Sequence, residues 1–189
     1  DSGRIFLNGV ETEIQNPKDA IRNKICLLTE DRKGQGLVLI HSCRENFGLP
    51  NLKKYIRFLF VDKEKERNAF DSYINHLKIK ISDHESMVSS LSGGNQQKIV
   101  LAKWLETNSD IIIFDEPTRG IDVGAKYEIY LLINQLANEG KSIIIVSSEL
   151  PELLGMCDRI IVMHEGHVKG EISDPTAATQ EDILKMAIT

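Results

Sequence analysis

Residues 91–98 read LSGGNQQK, and residues 111–118 read IIIFDEPT. The first stretch is typical of a glycine-rich turn that opens a helix, and such a turn presents backbone N–H groups and a positive dipole end to an anion such as phosphate. The second stretch is typical of a buried strand that ends in two carboxylates. Asp115 can hold Mg²⁺ there while Glu116 orients a water molecule. Ser92 and Asp115 lie 23 positions apart, which leaves room for one helix and a turn.

The rest of the chain alternates between strand-like and helix-like segments. This alternation predicts an α/β fold, in which a mostly parallel sheet carries helices on its faces. The predicted strands are a hairpin over residues 4–11 that turns at Asn8-Gly9, buried strands at 25–28, 111–114 and 142–146, and a second hairpin from 159 that turns at Glu165-Gly166. The predicted helices begin at Asn16, cover 90–105 and 122–138, begin again at Pro151, and cover 179–188.

Residues 42–89 are more polar and have a helical pattern. Two sets of apolar side chains are expected to pack in this region. One set recurs at helical spacing and consists of Phe70, Tyr73, Ile74 and Leu77. The other set is a cluster that consists of Tyr55, Phe58, Leu59 and Phe60.

The composition is ordinary for a globular protein, with 41% hydrophobic and 27% charged residues in a chain of 189. The formal net charge of −5 argues against nucleic acid as the main partner, because phosphate-backbone binding requires a basic face. One group of basic residues is interrupted by acidic ones and is interpreted as a solvated helix face. Its members are Lys53, Lys54, Arg57, Lys63, Lys65 and Arg67.

The three cysteines are Cys26, Cys43 and Cys157. Their odd number and the lack of C-x-x-C spacing favour reduced thiols in a cytosolic protein over a disulfide framework or a zinc site. No apolar run approaches the roughly 20 residues of a membrane helix, and the first residues lack the charged-then-apolar pattern of a signal peptide. If the protein works at a membrane, it is expected to dock onto a separate membrane subunit.

The two quoted stretches resemble motifs of ATP-binding cassette (ABC) ATPases: LSGGNQQK resembles the signature motif, and IIIFDEPT resembles the Walker B strand. The segments TEDRKG at 29–34 and SSELPE at 147–152 narrow the resemblance to the second nucleotide-binding domain of bacterial importers of simple sugars of the ribose/galactose type. The resemblance runs from about Asp1 to the C-terminus. It implies the P-loop NTPase-like fold of an ABC nucleotide-binding domain, with a helical subdomain at about 38–103 and the remainder as ATPase core.

The resemblance also implies ATP and Mg²⁺ as cofactors, and it gives the motif residues their roles. Glu116 is implied as the catalytic residue that polarises the attacking water, and Asp115 as the residue that serves Mg²⁺. The signature residues implied to contact ATP on the opposite domain, in trans, are Ser92, Gly93, Gly94 and Gln96.

Three further positions are informative within this resemblance. Glu30 stands where most ABC domains carry a glutamine that touches Mg²⁺ and signals to the membrane subunit, and it is either an altered coupling residue or a simple loop carboxylate. Ser148 stands where most carry a histidine that contacts the γ-phosphate, and a hydroxyl is shorter and carries no positive charge. Asp122, in the loop after Walker B, is implied to communicate between the two sites of a dimer, and it can also cap the next helix.

The sequence contains no G-x-x-x-x-G-K-[ST], the loop that cradles phosphates in P-loop ATPases. The chain is therefore expected to be an N-terminally truncated domain that does not hydrolyse ATP on its own. Without the strand that leads into this loop, the sheet is expected to expose an edge.

The leading hypothesis is an energy-coupling subunit of an ABC sugar importer that couples ATP binding and hydrolysis to carbohydrate uptake. Its expected place is peripheral, on the cytoplasmic face of the bacterial inner membrane. Its expected partners are the membrane-spanning permease subunits and a second ABC nucleotide-binding domain. Two alternatives remain open. One is a catalytically silent half that completes its partner's site, and the other is a soluble non-transport ABC ATPase, which predicts basic insertions or a coiled coil between Glu30 and Ser92.

Two further features are interpreted as structural. Trp104 is expected in the core and not as a platform for stacking a base. His164 and His167 form an H-x-x-H pair on a hairpin, but the sequence offers no third ligand, so a zinc site is not expected.

Overall fold

A computed structural model describes residues 3–188 of the chain. The predicted domain also includes residues 1, 2 and 189, which lie outside the described residues. The strands are β1 (Ile5–Leu7), β2 (Val10–Thr12), β3 (Ile25–Leu28), β4 (Ile56–Arg57), β5 (Phe60–Val61), β6 (Ile111–Asp115), β7 (Ser142–Val146), β8 (Ile160–His164) and β9 (His167–Ile172). The helices are α1 (Pro17–Arg22), α2 (Cys43–Gly48), α3 (Leu52–Tyr55), α4 (Lys63–His76), α5 (Gly93–Leu105), α6 (Val123–Asn138), α7 (Leu150–Met156) and α8 (Gln180–Ile188).

A three-stranded parallel sheet in the order β3-β6-β7 confirms the predicted α/β fold. The inward side chains of its middle and first strands are sealed from water: Leu28 and Ile112 are 0% exposed and Phe114 is 1% exposed. Burial of this kind is expected where helices cover a parallel sheet. Because β6 is the middle strand, its carboxyl end carries Asp115 into the centre of one sheet edge.

The strand β7 is less buried than predicted. Among the described strands it pairs only with β6, and Ile144 and Val146 are 50% and 51% exposed. The prediction of a buried strand is therefore wrong for this face, because a strand with one neighbour leaves part of its surface uncovered. The exposed sheet edge agrees with the expectation for a sheet without the strand of a phosphate-binding loop.

The predicted turns owe their shape to residues that accept a left-handed backbone. The turn between β1 and β2 holds Asn8 and Gly9 at φ of 50° and 79°. These are the positive values that a two-residue hairpin turn requires and that Asn-Gly supplies at little steric cost. The turn between β8 and β9 holds Glu165 and Gly166 at φ of 46° and 77°.

The helix α5 runs through the main core. Its residues Ile99, Val100, Leu101 and Ala102 are at most 2% exposed, so this helix is apolar on nearly all sides in its middle. Trp104 lies at the edge of the same core, as expected. None of the helices within residues 3–188 has the length and apolar character needed to cross a lipid bilayer.

The helical region packs on aromatic side chains of α2 and α4. The rings of Phe47 and Phe70 stack with centroids 4.9 Å apart, and Tyr73 lies 5.4 Å from Phe47. Phe70 and Leu77 are 0% and 2% exposed. The predicted packing at helical spacing is therefore confirmed for these residues.

The second predicted apolar cluster does not form. Tyr55 is buried at 2% exposure, but Phe58, Leu59 and Phe60 are 91%, 91% and 79% exposed. They lie at the tip of a small hairpin made by β4 and β5, where side chains project away from the body of the protein. The prediction failed because a polar-flanked run of six residues has no helical or strand period from which a hairpin can be recognised.

A buried arginine ties α2 to α4. Arg44 is 3% exposed and forms an ion pair with Glu66, which is 1% exposed. Its Nε also donates to Oε1 of Glu85 at 2.6 Å and its Nη2 to Oε2 at 3.1 Å. These bonds lower the pKa of Glu85 to about 2, whereas burial raises the pKa of Glu66. The network fixes the helical region against the loop that precedes the signature turn.

Candidate active site

The tip of β6 holds Glu116 in a fixed position. Its backbone has a φ of 48°, a left-handed value that is uncommon outside glycine and asparagine, and its N–H donates to the Val146 carbonyl at 2.8 Å. Its side-chain Oε1 accepts the Ser148 N–H at 2.8 Å. Its other carboxylate oxygen, Oε2, takes no hydrogen bond from the described chain. One oxygen therefore fixes the side chain, and the other is available to a water molecule.

Asp115 precedes it at the end of β6, half-buried and opposite Val146 of β7. Within residues 3–188, no group of three or more His, Cys, Asp or Glu side chains could hold a metal ion. Mg²⁺ does not need such a group, because it usually keeps several waters and takes one or two carboxylates together with substrate phosphates. The adjacent carboxylates of Asp115 and Glu116 fit a Mg²⁺ ion held in that way.

A buried carboxylate, which the sequence does not reveal, connects the loops at the carboxyl edge of the sheet. Glu152, in α7, is 5% exposed. Its Oε1 accepts the Thr118 hydroxyl at 3.3 Å, and its Oε2 accepts the Ser147 hydroxyl. Thr118 follows Glu116 and Ser147 precedes Ser148, so Glu152 links the loops that hold the two partners of the Glu116–Ser148 bond. Only its position in the segment SSELPE hinted at a role, since the contact with Thr118 spans 34 residues.

The signature turn opens α5 as predicted. Ser92 is the N-cap residue by its extended backbone, but its side chain makes no cap hydrogen bond to the helix. The hydroxyl instead accepts the Asn95 side-chain amide at 3.0 Å. The N–H groups of the first turn are thus left uncapped by Ser92, and together with the positive end of the helix dipole they suit an anion.

Ser92 and Gly94 line a cavity of about 330 Å³ that also contains Asp122. Asp122 caps α6, because its Oδ1 accepts the Ala125 N–H at 3.0 Å. The capping role that the sequence allowed for Asp122 is therefore present. The cavity brings the signature turn and the loop after β6 together on one surface.

Gln96 does not fit the implied contact with ATP. Its side chain is 3% exposed, and its Nε2 donates to the Val88 carbonyl at 3.2 Å. The side chain points into the protein because position 96 falls on the inner face of α5, one turn from the buried residues Ile99 and Val100. We correct the expectation accordingly: Gln96 connects α5 to the turn at Val88–Ser90.

Glu30 contacts the loop after β6 through an ion pair. Its carboxylate forms an ion pair with Arg119. Two residues later, Arg32 donates from Nη1 to the Arg119 carbonyl at 2.9 Å and from Nη2 to the Gly120 carbonyl at 3.3 Å. Arg32 lies in a single π-helical turn, Arg32–Gly36.

Arg32 also lies against the signature turn. A Cβ atom added at Gly93 would come 2.8 Å from Nη2 of Arg32 and 3.4 Å from the Gly120 carbonyl oxygen. Glycine at position 93 therefore leaves room for the guanidinium. The contact of Arg32 with residue 119 could not be recognised from the sequence, because contacts across 87 residues leave no local pattern.

We expect Gly94→Val to loosen the signature turn. A Cβ at Gly94 would lie 2.9 Å from the Cβ of Ala125 in α6, so a branched side chain must push α5 and α6 apart at a cost of about 1–3 kcal/mol. Urea unfolding followed by circular dichroism measures this loss. Gly124→Ala is the matched control, since a Cβ there meets only Asp122 Oδ1 at an ordinary 3.5 Å. Equal stability of the Gly94→Val protein and the native chain would contradict the close packing.

Comparison with known protein families and structures gives a consistent result. The family model described as "ABC transporter" matches residues 1–119. A ribose import ATP-binding protein, RbsA, of Bacillus cereus is 52% identical over 187 residues, which are 99% of this chain and 38% of that protein. The L-arabinose transport ATP-binding protein AraG of Geobacillus stearothermophilus is 50% identical over 185 residues, 98% of this chain and 36% of that protein. The chain thus spans less than two fifths of the length of these relatives.

Solved structures agree at the level of the fold. The chain superposes on MJ1267, an ATP-binding cassette of an ABC transporter, with a TM-score of 0.80 at 20% identity, covering 98% of this chain and 77% of that one. The post-hydrolysis dimer of the ATP-binding cassette MJ0796, bound to ADP and Pi, gives 0.72 at 22% identity, covering 90% of this chain and 73% of that one.

Proposed function

Because the chain belongs to the ABC transporter family and has the fold of its ATP-binding cassettes, we propose that it acts in the nucleotide-binding subunit of a sugar importer. In this role it couples ATP binding and hydrolysis to carbohydrate uptake. The observation that carries the proposal is the identity of about one half, along 99% of the chain, to a ribose import ATP-binding protein. The arrangement at the tip of β6 supports it, since Glu116 and Asp115 lie together at the carboxyl edge of the sheet.

The proposed chemistry assigns one task to each carboxylate. Glu116, fixed through Oε1 by the Ser148 N–H, uses Oε2 to accept a proton from the water that attacks the γ-phosphate. Asp115 serves Mg²⁺, which neutralises phosphate charge when it is bound. Glu152 is a positioning residue, because its bonds to Thr118 and Ser147 connect the loops that carry Glu116 and Ser148.

The signature residues Ser92, Gly93 and Gly94 are proposed to bind the phosphates of ATP held by a second nucleotide-binding domain. The uncapped N–H groups at the start of α5 supply the donors. Asp122, in the same cavity, communicates between the two sites of the pair. Glu30, through its ion pair with Arg119, transmits the state of the site to the membrane-spanning permease subunits, which we place against the helical region at about 38–103. The subunit is then peripheral to the cytoplasmic face of the membrane.

A domain exchange tests the import function. The 187 aligned residues of the Bacillus cereus ribose import ATP-binding protein are replaced by this chain, and uptake of labelled ribose is measured in a strain that lacks its own copy. We expect the chimera to restore uptake, since it supplies the same contacts to ATP and permease. A folded chimera that assembles with the permease but supports no uptake of ribose, arabinose or galactose would overturn the proposal.

Calorimetric titration of Mg-ATP into the 189-residue chain tests the trans role of the signature turn. We expect no detectable binding, because the sequence carries no phosphate-cradling G-x-x-x-x-G-K-[ST] loop and the signature turn acts on ATP held by another domain. Binding at micromolar strength, roughly −8 kcal/mol, would show that these residues form a phosphate site unaided and would contradict the trans assignment.

One observation favours a catalytically silent half as the second candidate. The residue at position 148 contacts Glu116 through its backbone N–H and offers only a hydroxyl, so no side chain there can carry positive charge toward a phosphate. In this reading Ser92, Gly93 and Gly94 complete the partner's site while Glu116 turns over no ATP. The soluble non-transport ABC ATPase is less favoured, because between Glu30 and Ser92 the described chain holds no helix longer than the 14 residues of α4.

A further inference from the structure

The hairpin of β4 and β5, which lies in the helical region that we place against the permease subunits, exposes an apolar tip. Phe58 and Leu59 form its turn and are each 91% exposed, and Phe60 is 79% exposed. Ile56 adds a side chain that is 50% exposed. Exposed apolar residues that occur singly need no explanation, but a contiguous group of large ones marks a contact surface.

The backbone of this tip carries strain that presents the aromatic ring. Phe58 has a φ of 58°, in the left-handed region where bulky residues are rare and hairpin turns normally use Gly, Asn or Asp. A turn of this shape forms more easily with glycine, so the exposed phenyl ring is not required by the fold.

The base of the hairpin is held rigidly on the domain. The Asp62 N–H donates to the Tyr55 carbonyl at 2.7 Å, which closes the hairpin at its open end. Tyr55 is 2% exposed, and its hydroxyl donates to Glu106 at 2.7 Å. The tip is therefore a fixed projection and not a frayed loop.

Basic residues lie in the hairpin and in the helices α3 and α4 on either side of it. All six are exposed, and they are Lys53, Lys54, Arg57, Lys63, Lys65 and Arg67. Three acidic residues lie among them: Glu66 is buried against Arg44, Asp62 caps α4 by accepting the Lys65 N–H at 3.0 Å, and Glu64 is exposed. In the described part of the chain, no ion pair involves Lys53, Arg57 or Lys63. The six basic residues outnumber the three acidic ones, in contrast to the net charge of −5 of the whole chain.

We propose that the hairpin tip inserts into the surface of a lipid bilayer that contains anionic lipids, with the flanking basic residues at the level of the headgroups. Aromatic and aliphatic side chains on a projecting turn can enter the acyl boundary, and nearby Lys and Arg residues add attraction to anionic headgroups, worth about fivefold in affinity per residue. The excess of basic residues beside the apolar tip favours an anionic bilayer as its partner. The contact lies in the helical region that we place against the permease subunits, and it goes beyond the proposed function by adding a direct contact with lipid.

Vesicle flotation of the full chain tests this contact. We expect the chain to float with vesicles of phosphatidylcholine and phosphatidylglycerol, to bind pure phosphatidylcholine much more weakly, and to be released by high salt. Phe58→Gly combined with Leu59→Ser is expected to lower the affinity at least about tenfold, and Lys53→Gln combined with Lys63→Gln by a similar factor. The glycine variant keeps the hairpin, since glycine accepts a positive φ without strain.

Ile40→Ser is the matched control, because Ile40 is 79% exposed but lies outside the hairpin. It should bind vesicles as the native chain does. The proposal is overturned if the native chain stays with the soluble fraction, if it binds neutral and anionic vesicles equally, or if the tip variants bind as tightly as the native chain. Capture by immobilised polyglutamate without any flotation would also overturn it, in favour of an acidic protein partner.

Discussion

ATP hydrolysis by the ribose-importer chimera is expected to fall by about 10²- to 10⁴-fold when Glu116 is changed to glutamine. An amide cannot take a proton from the attacking water, whereas its oxygen can still accept the Ser148 N–H that holds Glu116 at 2.8 Å. The variant therefore removes the base without disturbing the loop. Steady-state phosphate release, measured with the assembled permease, gives the turnover, and labelled ribose uptake should fall with it.

Glu165→Gln is the matched control for this change. Glu165 also has a left-handed backbone, with a φ of 46° against 48° for Glu116, and it lies in the turn between β8 and β9, away from the sheet edge. Its replacement should leave turnover unchanged. If Glu116→Gln has no more effect than Glu165→Gln, turnover takes place elsewhere, and the silent-half candidate replaces the catalytic one.

Replacement of Arg44 by methionine is expected to destabilise the chain by about 3–5 kcal/mol. The change leaves the Glu66 carboxylate, with 2% of its side chain exposed, without its charged partner. Urea unfolding at neutral pH measures the free energy of unfolding. Adding Glu66→Leu to the same protein should restore most of it, because an apolar pair of similar volume carries no buried charge.

Arg67→Met is the control for surface charge. Arg67 lies 3.6 Å from the same Glu85, but its side chain is 49% exposed, so its loss should cost less than about 1 kcal/mol. Equal losses for Arg44→Met and Arg67→Met would show that the burial of Arg44 has no energetic consequence.

The Arg44 effect should also depend on pH. The pKa of Glu85 falls from an ordinary 4.5 to about 2 in the folded chain, chiefly because Arg44 donates hydrogen bonds to it. A carboxyl with a lowered pKa in the folded state stabilises the fold above its unfolded pKa, and this contribution is lost as the pH falls through the folded pKa. The difference in stability between the native chain and Arg44→Met should therefore shrink as the pH is lowered from about 4.5 towards 2.

The sequence predicts those turns, helix starts and strands that depend on residues close together in the chain. Asn8-Gly9 predicts its turn because only a few residues accept a positive φ, and Asn16 and Pro17 predict the start of α1, where the Asn16 side chain accepts the N–H groups of Lys18 and Asp19. The run before Asp115 predicts a buried strand, because a short apolar run of this kind is typical of a strand that helices cover on both faces. These signals lie within a few residues of each other.

Features that depend on distant residues were not predictable. Arg32 contacts the backbone of residues 119 and 120, and Glu152 contacts Thr118, across separations that no local pattern records. The apolar residues around Phe58 predict packing in the core, but hydrophobicity alone does not say which way a side chain projects. The place of Gln96 in a motif implies a contact with ATP, but the helical period turns its side chain inward.

Ser148 contacts Glu116 through its main-chain N–H, so the contact does not depend on which side chain stands at position 148. Nineteen of the twenty amino acids bring the same N–H to that point, and proline alone does not. In a library that carries every amino acid at position 148, we therefore expect all variants except proline to keep the placement of Glu116. Sequence variability at position 148 would therefore say little about whether the neighbouring carboxylate keeps its geometry.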